Sequence, residues 1–237
     1  MYNTRNGDFM NLQIDYISDL HLDFYIKNSN DIEEFISKNI KPKVNGELLI
    51  LAGDITANLN LLVNFLELLK VNYSKIIFCL GNHEYYNKIE NVKNLIKLYN
   101  SGDIILLDRN SINKGLTNYK GFTIAGDTMW YKPNILDYLI QTDIFFVKSK
   151  INIYHKDSMN FYNKLNNVDI MVSHVPPIKN VNNTCYFNSV KDYKGRIWIY
   201  GHDHIPNEIV INKTLFLSNP WGYENKEFPV KSLTIKK

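Results

Sequence analysis

Five strand-length apolar runs in this chain end in an acid, an amide or a histidine, and that repetition constrains the fold more than any other feature. They are Ile14-Asp15-Tyr16-Ile17-Ser18-Asp19-Leu20-His21, Leu48-Leu49-Ile50-Leu51-Ala52-Gly53-Asp54, Ile76-Ile77-Phe78-Cys79-Leu80-Gly81-Asn82-His83-Glu84, Ile170-Met171-Val172-Ser173-His174, and Ile197-Trp198-Ile199-Tyr200-Gly201-His202-Asp203-His204. Each reads as a buried strand that delivers polar side chains into the loop after it. From Asp19 through Asp54, Asn82 and His174 to His202 the gaps run from roughly 28 to 92 residues, too long for a local metal finger. These residues share one site only if parallel strands bring their carboxyl ends together, the edge at which open α/β sheets bind ligands.

The segments between the runs support that arrangement. Asn30, with Glu33 three residues on, reads as a capping box for a helix whose face is Ile32, Phe35, Ile36 and Ile40, stopped by Pro42. Leu59, Leu62, Val63, Leu66 and Leu69 mark a second helical stripe, and Ile89, Val92, Leu95, Ile96 and Tyr99 a third, ended near Gly102. Strands alternating with helices predict βαβ units with right-handed crossovers. After Gly102 short β-type segments are expected at 104–107, 112–116 and 122–125, then helix with an irregular middle over 134–165. Strands return at 168–172, 197–200, 209–211, 215–217 and 230–235. With no repeat, low-complexity tract or linker, the 237 residues are expected to form one domain, 1–237.

Composition narrows the function classes. A chain 45% hydrophobic and 22% charged is globular, and its apolar runs fall well short of the ~20 residues that span a bilayer, so no membrane partner is expected. Residues 1–11 are polar and show no secretory pattern, which gives a cytoplasmic expectation. Cys79 and Cys185, one in a strand and one in a loop, agree with a reducing compartment. The net charge of +3 permits an anionic substrate but shows no basic stripe of the kind nucleic acid requires. The Asn, Lys, Ile and Tyr bias points to an AT-rich bacterial or phage genome.

The ordered set Asp19-x-His21, Gly53-Asp54, Gly81-Asn82-His83-Glu84, His174 and Gly201-His202-x-His204 resembles the calcineurin-like metallophosphoesterase superfamily. The resemblance implies an αββα sandwich, two mixed β-sheets packed face to face and flanked by helices. It implies two divalent metal ions of the Mn, Fe, Zn or Ni kind, with Mn the first expectation in vitro, since such ions accept mixed imidazole, carboxylate and amide ligands. Asp19, His21 and His204 resemble the ligands of one metal, and Asn82, His174 and His202 those of the other. Asp54 resembles the carboxylate between them. In that family a hydroxide shared by the metals attacks phosphorus. His83, next to a ligand, resembles the general acid or phosphate-oxygen stabiliser; the alternative is a residue that only orients Asn82. Asp203, between two ligand positions, is assigned no role.

Other stretches bear on the branch. Gly53-Asp54 continues as Ile55-Thr56-Ala57, without the Asp-Arg-Gly of protein serine/threonine phosphatases. Gly126-Asp127-Thr128-Met129-Trp130 resembles the Gly-x-Thr-Leu-Trp of small bacterial and phage phosphoesterases, and Asn219-Pro220-Trp221-Gly222-Tyr223 resembles their Asn-Pro-Arg-Gly-Tyr with Trp221 in the Arg position. The function implied is hydrolysis of small phosphodiesters such as cyclic or linear nucleotides. Nuclease or phosphomonoesterase activity on the same site, and a non-catalytic interaction scaffold, are the alternatives. Trp130, Tyr131, Trp221 and Tyr223 read either as a stacking wall for a flat leaving group or as core. His155 is expected on a helix surface or at a cap, and Arg109 and Arg196 on the solvated surface.

Overall fold

The run 48–52 is apolar at every position, so a strand made from it must be covered on both faces, as the interior strands of parallel sheets are. The computed structural model, which describes residues 10–134, 138, 142–147, 150–179, 187–223 and 230–237, places it so. Strands β1 (Asn11–Ile17), β2 (Leu48–Ala52), β3 (Lys75–Cys79) and β4 (Ile104–Leu107) are mutually parallel, and the antiparallel β11 (Lys231–Lys236) closes the β1 edge. The second sheet contains β5 (Leu116–Tyr119), β6 (Phe122–Asp127), β7 (Val168–Ser173), β8 (Gly195–Tyr200), β9 (Asn207–Ile211) and β10 (Thr214–Ser218) in the order β5-β6-β7-β8-β10-β9. Its inner four strands are parallel and its two edge pairs antiparallel.

Alternation along each strand builds the layers. Leu48, Ile50 and Ala52 of β2, with Ile77, Cys79, Ile105 and Leu107, face Phe122, Ile124, Ile170, Val172, Ile197 and Ile199 across the space between the sheets. Leu49, Leu51, Phe78 and Leu106 point the other way, onto α1 (Ser29–Phe35), α2 (Leu59–Leu69) and α3 (Ile89–Leu98). The outer face of the second sheet packs Met171, Trp198 and Phe216 against Tyr162 and Leu165, at the end of α5 (Lys150–Lys164). The short α4 (Thr142–Val147) lies near the turn that follows β3, with its Phe146 ring stacked on Tyr86 at 4.3 Å. The expected αββα sandwich is present. Among the described residues no helix is long and apolar enough to cross a membrane.

Several local expectations are corrected. The first helix is capped by Asn28, whose N–H donates to the Asp31 carboxylate at 2.9 Å, so the box sits two residues earlier than Asn30 and Glu33. The buried face Ile32, Phe35, Ile36 and Ile40 is as expected, and the last turn widens before Pro42. Residues 112–115 form a turn, with Ile112 83% exposed, because Lys114 and Gly115 take positive φ; the strand begins only at Leu116. Arg109 is not a surface cation. Its side chain is 6% exposed, and its Nη1 donates at 2.7 Å to Asp127, itself buried. Asp127 also accepts from Met129 N–H and Ser158 Oγ, and His155 Nδ1 lies 2.8 Å from the Trp130 carbonyl, so Arg109, expected on the surface, and His155, expected on a helix surface or at a cap and half-buried on its helix, both hold the loop after β6. Arg196 is exposed and pairs with Asp169, as expected of a surface residue. Trp130, Tyr131 and Trp221 are buried, which removes three of the four aromatics from the stacking wall. Cys185 and parts of 134–165 lie outside the described residues.

Candidate metal centre

The carboxyl ends of β1, β2 and β3 face those of β7 and β8. Asp19 and His21 leave β1, Asp54 leaves β2, Asn82 leaves β3, His174 follows β7, and His202 and His204 follow β8. All seven converge. His174 Nε2 lies 2.8 Å from Asn82 Oδ1, 3.3 Å from Asp54 Oδ2 and 3.2 Å from His202 Nδ1. On the other side His204 Nε2 lies 3.3 Å from Asp19 Oδ1 and 3.1 Å from His21 Nε2, and His21 Nε2 is 3.9 Å from Asp54 Oδ2. Among the described residues, two groups of donor atoms draw on these seven, Asp19-His21-His204 and Asp54-His174-His202, each tight enough to hold one ion, and a third, His21-Asp54-His83, links them through Asp54.

The backbone supports this convergence at a cost. Asp19, His21, Asp54, His202 and His204 all adopt positive φ, between 44° and 76°, a region that non-glycine residues seldom occupy. Surrounding hydrogen bonds hold them there. Asp19 accepts from the His202 N–H at 3.0 Å and from Ser18 Oγ at 2.5 Å, and Asp54 accepts from the His83 N–H at 3.0 Å. Glu84, whose role the sequence did not reveal, is fully buried. It accepts the N–H groups of Asp54, Ile55, Thr56 and Gly81, at 2.7 to 3.2 Å, tying the loop after β2 to the loop after β3.

The electrostatics fit cations. Burial holds the His21 imidazole down to about 4, and burial together with His174 does the same for His202, so both are neutral donors at pH 7. Burial opposes charge at His174 too, but the carboxylates of Asp54 and Asp19 outweigh it and push its value up to about 10. Asp54 is held well below the usual carboxylate range: burial would raise it, but His174 and His83 overcome that. Because His174 Nδ1 bonds to the Ala52 carbonyl at 2.9 Å, its Nε2 is the atom turned to the cluster, the second-partner arrangement usual for metal-ligating histidine. Three imidazole–imidazole or imidazole–amide approaches near 3 Å, in one pocket with two carboxylates, make a donor set suited to borderline divalent metals.

His83 sits at the rim. Its Nε2 is 3.8 Å from Asp54 Oδ2 and 3.1 Å from the Tyr223 hydroxyl, and its ring is 4.6 Å from that of His21. Tyr223, 47% exposed, stacks on His21 at 4.2 Å and meets the edge of Phe24 at 5.0 Å. Of the four sequence-marked aromatics it alone reaches the site from an exposed position. Asp203 lies between two ligand positions and accepts the Ile205 N–H at 3.2 Å.

The sequence profile of the calcineurin-like phosphoesterases matches residues 12–206, most of the chain. The protein belongs to the calcineurin-like phosphoesterase family. Among solved structures, this phosphoesterase is similar in fold to the phosphopantetheinyl hydrolase of Mycobacterium tuberculosis, at TM-score 0.68 and 17% identity over 91% of this chain and 90% of that one. A protein of unknown function from Aquifex aeolicus aligns at TM-score 0.41 and 15% identity, over 93% of this chain and 95% of its own. A predicted phosphoesterase from Streptococcus pneumoniae aligns at 0.36 and 15%, over 95% and 84%. No curated protein matches the phosphoesterase.

Proposed function

We propose that the protein is a dinuclear-metal phosphoesterase that hydrolyses small phosphodiesters, nucleotides among them, in a reducing cytoplasm. One observation carries the reading: the seven donors Asp19, His21, Asp54, Asn82, His174, His202 and His204 meet at one sheet edge, with Asp54 within 4 Å of both histidine groups. Asp19, His21 and His204 would hold one ion, and Asn82, His174 and His202 the other, with Asp54 between. Bound there, divalent metals would acidify water and neutralise phosphate oxygens. Manganese is the ion we would load first.

The chain supplies the rest. His83 Nε2, at the open rim, is placed to give a proton to a departing alkoxide or a hydrogen bond to a phosphate oxygen, and the Tyr223 hydroxyl orients it. Tyr223 and Phe24 offer a flat apolar surface beside that proton, which favours a diester whose leaving group is planar. The net charge of +3 supports a small anion over extended nucleic acid.

Protein stripped by chelator and reloaded with Mn²⁺ should cleave bis-p-nitrophenyl phosphate faster than p-nitrophenyl phosphate. Asp54→Asn should abolish turnover, and His83→Ala should lower kcat by ~10²- to 10⁴-fold. A faster monoester rate would reverse the preference. No turnover in the loaded parent, together with partner binding that survives Asp54→Asn, would favour a scaffold instead.

A further inference from the structure

Asn82 poses a problem that its neighbours solve. A carboxamide has an oxygen end and a nitrogen end of nearly equal shape, and only the oxygen can serve a metal, so something must forbid the reversed orientation. The Asn82 Nδ2 lies 2.8 Å from Asp143 Oδ1 and 2.8 Å from the Tyr86 hydroxyl, while its Oδ1 faces His174 Nε2. Reversal would set the amide oxygen against a carboxylate oxygen, two acceptors with no proton between them. Asp143 is buried, on the short helix α4, and belongs to neither donor group.

The carboxylate is itself held by donors. Tyr86 donates to Oδ1, and Tyr131 donates to Oδ2 at 3.0 Å. Burial and the adjacent Asp143 keep the Tyr86 phenol protonated, hence a donor. The Tyr131 ring lies nearly parallel to that of His202, 6.1 Å between centroids. Asp143 therefore touches Asn82 directly and reaches the neighbourhood of His202 through Tyr131. No bond is found between Asp143 and Asp19, His21 or His204 among the described residues. That asymmetry is what an experiment can read.

We propose that Asp143 is a positioning residue, which locks the Asn82 amide with its oxygen toward His174 and so completes one of the two metal sites and not the other. The inference rests on the dinuclear reading above. It assigns α4, an element outside both sheets, to metal binding.

The test is a Mn²⁺ titration of parent, Asp143→Leu, Asp143→Asn, Asn82→Ala and the double variant Asn82→Ala/Asp143→Leu, followed by calorimetry and by the paramagnetic resonance of free Mn²⁺. The parent should bind two ions. Asp143→Leu should weaken one ion by about 10- to 100-fold and leave the other unchanged. Asp143→Asn, isosteric and able to turn an NH₂ group toward Asn82 in one of its two orientations, should fall between parent and Asp143→Leu. The double variant should bind as Asn82→Ala alone, because the effect runs through that amide. A merely structural Asp143 would weaken both ions together, or would add to Asn82→Ala, and either result overturns the proposal. So do two unchanged affinities in the variants. If Asp143→Leu does not fold, Asp143→Asn decides, with unchanged affinities the refuting outcome. A parent that binds no Mn²⁺ would defeat the dinuclear reading itself, and this inference with it.

Discussion

Two protons set how this site responds to pH, one on His204, whose value burial opposes and Asp19 raises, and a second on His174. In the metal-free protein its value of about 10 leaves the imidazole charged at pH 7, and since Nδ1 is committed to the Ala52 carbonyl, an ion can enter only by displacing the proton from Nε2. His21 and His202, held near 4, have no proton to lose. Manganese uptake at pH 7 should therefore release about one proton at the Asn82-His174-His202 group, and its affinity should tighten ~10-fold per pH unit toward pH 10. Calorimetry in buffers of differing ionisation enthalpy measures this, and zero release would contradict it. The same shift has a sign for stability. The folded value lies above the ordinary 6.5, so the charged ring stabilises the metal-free fold fully below pH 6.5, and that contribution drains away as pH rises to about 10. At this scale the sequence was most legible: each of the seven donors follows an apolar run, and the order of those motifs, through its resemblance to the calcineurin-like phosphoesterases, marked them as ligands. Asp143 follows no such run, and its partner Tyr131 lies in a different segment of the chain. Glu84 stood in plain view within Gly81-Asn82-His83-Glu84, but the four N–H groups it gathers come from two loops that only the fold brings together.

At the scale of the element, the motifs interlock through their glycines. A Cβ on Gly81, after β3, would lie 2.0 Å from Asp54 Oδ1 and 2.4 Å from its backbone nitrogen; one on Gly201, after β8, would lie 2.5 Å from Asp19 Oδ2. Each glycine thus stands where a ligand from a different strand must pass, and the loops after β1, β2, β3 and β8 cannot be displaced singly. Gly81→Ala and Gly201→Ala should each cost about 1–3 kcal/mol of stability from overpacking. Their signature is unequal metal loss. Gly81→Ala pushes on Asp54, which touches both groups, and should weaken both ions, whereas Gly201→Ala pushes on Asp19 and should weaken chiefly the ion held with His21 and His204. Metal titration and thermal unfolding of the two variants check this, and indistinguishable titrations would refute the interlock. Strand ends and helix faces were readable because burial follows period. The exceptions were places where short-range polar chemistry prevailed, as with the Asn28–Asp31 cap and the turn at Lys114-Gly115.

Across the whole molecule, the order of strands within each sheet could not be read from sequence. β2, β3 and β7 are buried on both faces along most of their length, so their burial pattern carries no record of which neighbour lies on which side. The arrangement nevertheless decides how the site and the fold depend on each other. Asp19, His21, Asp54 and Asn82 come from the first sheet, and His174, His202 and His204 from the second. Each donor group draws on both. Between the sheets the packing is apolar, and at this edge they are joined by the bridge of Ser18 to Pro220 and by the hydrogen bond from His202 N–H to the Asp19 carboxylate. An ion in either group therefore fastens the sheets at the end where they are most polar. Because the unfolded chain lacks the site, free Mn²⁺ at 100 times its Kd should add ~2.7 kcal/mol to stability for each ion bound. For a chain of this length that corresponds to a rise in Tm of roughly 5–10 °C. Chelator should reverse the rise, and Asp54→Asn should remove most of it, since that carboxylate serves both groups. Scanning calorimetry with and without Mn²⁺ reads the effect. A Tm indifferent to metal in the parent would mean that the two sheets are joined at this edge without it.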